Sequence, residues 1–144
     1  MQTDANPVAL ELLKEIVEHE LAGVIRYTHY SLMVTGPNRI PQVSYFKGKA
    51  SESLQHAQRA GEILTGLGGH PSTNVAPVVE THEHAVEKII EESLTHEREA
   101  IDKYGSLLEV STGQSVFLEE YARSMLVAEE EDLMELRKMM RDLS

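Results

Sequence analysis

The chain has no cysteine, which removes disulfides, iron–sulfur clusters, Cys-ligated zinc and rubredoxin-type iron at once. It has no apolar run approaching the roughly 20 residues of a membrane-spanning helix. Its polar opening, Met1-Gln-Thr-Asp-Ala-Asn6, lacks the apolar core of a signal peptide, so the expected location is the cytoplasm. Basic residues are scarce: 13 Lys and Arg stand against 24 Asp and Glu, a formal net charge of -11. That balance argues against contact with nucleic acid or a membrane surface and favours the collection of cations, although solubility alone also accounts for it. What is left at 144 residues is a single domain, spanning residues 1–144, with a core of its own.

Glycine and proline are almost missing from the long periodic stretches and gather at the breaks between them. Asn6-Pro7 is a cap followed by proline at the first helical position, and the first helix is expected to run to about Val34, where Thr35-Gly-Pro-Asn38 stops it. A second is expected from near Pro41 to Leu67, closed by Gly68-Gly-His-Pro71, a third from about Val79 to Val110, and a fourth from about Ser115 to near the end of the sequence. No strand alternation competes with these patterns. Four helices of this length read as an all-α four-helix bundle. Short first and third connections demand antiparallel hairpins, and a middle link expected to be about ten residues long can cross the length of the bundle.

Three glutamates break the apolar stripes. Around Glu20 the stripe reads Leu10, Leu13, Val17, Val24 and Tyr27; around Glu97 it reads Val86, Ile90, Leu94, Ile101 and Tyr104; around Glu129 it reads Leu118, Ala122, Leu126, Leu133, Leu136 and Met140. Steps of three and four hold these positions on one helix face, so each carboxylate points where its apolar neighbours point. An ionised carboxylate aimed at a core costs several kcal/mol unless something positive meets it. A shared cation, most simply a metal, satisfies all three. Glu20 and Glu52 are 32 residues apart, as are Glu97 and Glu129, so the chain reads as two related hairpins. Tyr27 and Tyr104 are amphipathic core residues whose hydroxyls can reach a carboxylate on a partner helix.

Dinuclear metal bundles take one Glu from each of two helices and a Glu-x-x-His from each of the other two. Glu20, Glu97 and Glu129 supply three of those carboxylates, and His56 an imidazole on the stripe of Phe46, Ser53, Ala60, Ile63 and Leu67. The flanking text, Ser51-Glu-Ser-Leu-Gln-His-Ala57 with Ala60-Gly-Glu-Ile-Leu64 and Gly68-Gly-His-Pro71, resembles the second helix of bacterioferritins, and Ala128-Glu-Glu-Glu-Asp-Leu133 resembles their fourth. The resemblance covers nearly the whole chain. It implies a ferritin-like fold, a homo-oligomeric shell, iron storage, and Fe(II) oxidation by oxygen or peroxide at a dinuclear site, with manganese as an alternative metal. By the same resemblance Glu20 and Glu97 are terminal ligands, Glu129 a bridge and His56 a terminal nitrogen ligand.

The chain departs from that pattern at three places. Ser53 stands three before His56 where the family has Glu, with Glu52 one place earlier. Glu52 either turns in from the flank as a ligand or stays solvated beside Lys49 and Arg59. Asp132 replaces the second His and offers a shorter oxygen ligand. Leu54 stands where the family's haem-ligating Met falls, so no haem is expected. Two other readings remain beside a ferroxidase: a shell subunit with a degenerate centre, and a rubrerythrin-like peroxidase or manganese-dependent oxidase.

Overall fold

The computed structural model describes residues 6–143; the opening used above to judge targeting falls mostly in residues 1–5, outside the described residues. Four helices fill it: α1 (Pro7–Met33), α2 (Arg39–Gly66), α3 (Val86–Ser111) and α4 (Val116–Met140). Helix α1 packs on α2, α3 on α4, and α1 on α3, giving two hairpins face to face. Among the described residues no helix is long and apolar enough to cross a membrane.

Local chemistry sets the ends. Asn6 caps α1 by accepting from the Val8 N–H at 2.8 Å, and Ser115 caps α4 by accepting from Leu118 N–H at 3.2 Å. At the far end of α1 the Arg39 guanidinium donates to the Val34 and Ser31 carbonyls at 2.6 and 3.3 Å, taking up acceptors the helix leaves unpaired. Pro41 lies inside the first turn of α2, where its missing N–H costs nothing.

Helix α3 begins at Val86 rather than near Val79. The Glu80 carboxylate accepts the His82 N–H at 2.6 Å and the Thr81 hydroxyl accepts the Glu83 N–H, while His82 adopts a left-handed backbone with φ 60°. These side-chain bonds to nearby backbone compete with the helical ladder and win over residues 80–83. The connection consequently runs over residues 67–85 and lies along α1, where Ala76 N–H donates to the Glu18 carbonyl at 3.1 Å and Ser72 hydrogen-bonds the Glu18 carboxylate.

The core divides into an end built on Leu13, Ile16, Leu64, Leu107 and Ala122, and an opposite end built on Phe46, Ile89, Ile90, Leu133 and Leu136. A band of buried polar groups separates the two. Gly23 makes that band possible, because a Cβ there would lie 2.7 Å from Ser53 Oγ and 2.8 Å from His96 Nε2. Gly23→Ala gains helix propensity of at most about 1 kcal/mol, but overpacking at a three-helix contact costs about 1–3 kcal/mol. A net loss is expected in chemical denaturation, whereas Gly105→Ala, with open space around it, should stabilise.

Candidate metal centre

Every helix contributes to the buried band. Glu20 comes from α1, His56 from α2, Glu97 from α3, and Glu129 with Asp132 from α4. His56 Nδ1 lies 3.1 Å from Glu20 Oε2 and 3.4 Å from Glu129 Oε1. Glu20, His56 and Glu129 each offer a ligand atom within 4.8 Å of the others, and Glu97, Glu129 and Asp132 do the same. Glu129, 1% exposed, belongs to both groups and stands between the two places where a cation could be held.

The two tyrosines cross between the hairpins. Tyr27 on α1 donates to Glu97 Oε1 at 2.5 Å, and Tyr104 on α3 donates to Glu20 Oε2 at 2.7 Å. Both rings are fully buried. Each hydroxyl orients a carboxylate on the opposite hairpin, the kind of support that fixes ligand geometry.

One of the two cation positions already holds a charge. Lys49, 6% exposed, places its Nζ 2.9 Å from Glu97 Oε1, 3.1 Å from Asp132 Oδ2 and 3.9 Å from Glu52 Oε2, with the ammonium 5.3 Å from the centre of the Tyr27 ring. Burial works to neutralise this lysine, but Glu97, Asp132 and Glu52 outweigh it and raise the pKa above the ordinary lysine value. The sequence offers Lys49 only as a neighbour of Glu52, in the alternative where Glu52 stays solvated. Its signal was present, however: Lys49 is three residues after Phe46 and four before Ser53, on the same inward face.

Glu52 is half-exposed, its Oε1 3.7 Å from His56 Nε2. Burial and the neighbouring Asp132 push its carboxyl up to about 7. The inward place belongs to Ser53, which is buried. The two hairpins are thus offset by one residue relative to the equal 32-residue spacings, because Ser53, three before His56, occupies the place matching Glu129, three before Asp132. Leu54 is 41% exposed on the outside of α2.

Electrostatically the band is a partly protonated network. Burial, then contact with Glu97, pushes the Glu129 carboxyl up to about 10. Burial would also lift Glu97, but the Glu129 hydrogen bond, the Lys49 ammonium and the Tyr27 hydroxyl together hold it down. One carboxyl therefore keeps a proton that its neighbour accepts. His56 is raised to about 10: burial opposes its charge, and the Glu129 and Glu20 carboxylates prevail. Beside this network His19 and His96 stack at 4.0 Å, both lowered by burial, with His19 Nε2 3.0 Å from the His96 carbonyl.

The residues fit one divalent ion. Two carboxylates and an imidazole form a donor set suited to iron or manganese, and Glu129 Oε2 is buried with no hydrogen-bond partner. A second ion does not fit while the Lys49 ammonium occupies the space between Glu97 and Asp132.

A family model described as a ferritin-like domain matches residues 10–144. Among solved structures, a ferritin-like, diiron-carboxylate protein from Bacillus anthracis str. Ames superposes with a TM-score of 0.87 at 24% identity, covering 93% of this chain and 96% of that one. BfrA from M. tuberculosis superposes with a TM-score of 0.85 at 17% identity, covering 94% of this chain and 84% of that one. No curated protein matches the sequence.

Proposed function

Because the chain belongs to the ferritin-like domain family, we propose that it is an iron-binding subunit of the bacterioferritin kind, taking one Fe(II) at Glu20, His56 and Glu129 while Lys49 stands in the second metal position. The observation that carries this reading is the buried Lys49 Nζ, 2.9 Å from Glu97 and 3.1 Å from Asp132. Reduction of oxygen to peroxide takes two electrons, and a single Fe(II) supplies one. A chain with one iron position therefore binds iron without the paired oxidation of a dinuclear ferroxidase. Lys49 favours the reading of a subunit with a degenerate centre over that of a dinuclear ferroxidase. A full ferroxidase would require Lys49 to leave.

Anaerobic titration of Fe(II) into purified protein, followed by admission of oxygen, tests this directly. One iron per chain at the buried centre, counted as the difference from a His56→Ala variant, and slow oxygen uptake are expected, and no haem absorption, since Leu54 offers no ligand to iron. Two irons per chain with rapid oxidation would overturn the role given to Lys49. The same titration with Mn(II) tests whether the site prefers iron, since its donors suit both.

A further inference from the structure

Away from the buried band, the geometry points to a second metal site, formed by His29, Glu80 and His84, that takes a first-row divalent transition ion such as Zn(II) and fastens the crossover connection to α1. His29 lies in the last part of α1, and Glu80 and His84 in the segment before α3. The three offer ligand atoms within 4.8 Å of one another. His84 Nε2 lies 3.1 Å from Glu80 Oε1, His29 Nε2 approaches Glu80 Oε2, and the two imidazole rings stand 5.5 Å apart.

Two further features single this group out from an ordinary surface ion pair. His29 Nε2 is shut off from solvent and lies directly against the Glu80 carboxylate without forming a hydrogen bond to it. A ring nitrogen and a carboxylate that face each other out of hydrogen-bond geometry are both better satisfied by an ion held between them. The loop is also built to hold its shape. The His82 N–H donates to Glu80 Oε1 from a left-handed backbone, and the Thr81 and Tyr30 hydroxyls both donate to the Glu92 carboxylate at 2.7 Å. Each ligand keeps some contact with solvent, which leaves an entry path and room for water as a fourth ligand. Two imidazoles and one carboxylate suit Zn(II), Fe(II) or Co(II), and not the harder calcium or magnesium.

None of these three residues belongs to the buried centre, so the site stands or falls independently of it. The test is equilibrium dialysis of the full chain against Zn(II), with His84→Ala and Glu80→Gln beside the wild type. The expected result is one fewer tightly held ion per chain in each variant, with unchanged helical circular dichroism. As a second readout, Co(II) should shift the imidazole resonances of His29 and His84 as well as that of His56, and His84→Ala should abolish the shift at His29 while sparing His56. Equal ion counts in wild type and both variants, with an unshifted His29, would show an ion pair only and overturn the proposal.

Discussion

Lys49→Met is expected to convert a one-ion centre into a two-ion centre and to make the metal-free protein markedly less stable. Methionine keeps the length and apolar stem of lysine but removes the charge that Glu97 and Asp132 surround at 2.9 and 3.1 Å. Breaking a buried pair by deleting one partner costs roughly 3–5 kcal/mol, because the remaining charge is left uncompensated. For a domain of this size that lowers the melting temperature by on the order of 10 °C. Added Fe(II) or Mn(II) should restore most of the loss, since a second ion then meets Glu97, Glu129 and Asp132 and binds only the folded form. Calorimetry with and without metal, together with ion counting, checks both halves. A variant that binds no additional ion, and whose stability no metal restores, would show that Lys49 is a structural counter-charge and not a substitute for a metal.

A second large effect concerns protons. His56 and Glu129 both take up a proton more readily than free side chains: Glu129 and Glu20 outweigh burial at His56, and burial and Glu97 act on Glu129. A protonated Glu129 no longer holds the charge on His56, so the pair keeps at least one proton at neutral pH, and each ion bound at Glu20, His56 and Glu129 at pH 7 should release about one proton or more. Both groups sit near 10 in the folded protein, above their unfolded values of about 6.5 and 4.3. Competition from protons therefore strengthens as pH falls, and the apparent affinity should drop by roughly 10-fold or more per pH unit below neutrality. The same shifts act on metal-free stability. The contribution of His56 is fully present below its unfolded pKa and is lost as pH rises toward 10, and the protonated Glu129 likewise favours folding at the lower pH. The metal-free protein should thus weaken as pH rises from about 4.5 toward 10, while the metal-bound protein gains only up to about 6.5 and then levels off, because the unfolded chain has by then lost both protons. Mn(II) binding to a His84→Ala variant, measured calorimetrically in buffers of different ionisation heat, counts the protons released at the buried centre. Affinity independent of pH would mean that the ion sits away from His56 and Glu129.

Much of the fold was legible because its signals are local or periodic. Asn6-Pro7 and Ser115 mark helix starts by their own hydrogen bonds, and the apolar stripes lead to the four-helix bundle found. Glu20, Glu97 and Glu129 stand out because three carboxylates recur in matching apolar stripes, which chance placement or snorkelling of a single Glu does not explain. Three features were not legible, each for a different reason. The start of α3 depends on Glu80 capturing nearby backbone N–H groups, a competition that helical periodicity does not register. The places of Glu52 and Ser53 turn on a one-residue offset between hairpins, a difference of about 100° around a helix axis. Lys49 is not legible as a buried charge because lysine is usually solvated, and its burial follows from three carboxylates on three helices, a convergence known only once the helices are packed.

The crossed bonds from Tyr27 to Glu97 and from Tyr104 to Glu20 bear on the order of assembly. Each hairpin alone carries only part of the donor set: Glu20 and His56 on one, Glu97, Glu129 and Asp132 on the other. Neither half can assemble the centre before docking, and sliding α1 along α3 by one residue, about 1.5 Å, would disturb both tyrosine bonds together. An ion at this centre would be held only once the hairpins have met. It would then act as a latch on the finished bundle, lengthening the lifetime of the native state by slowing its opening and leaving the rate of folding nearly untouched.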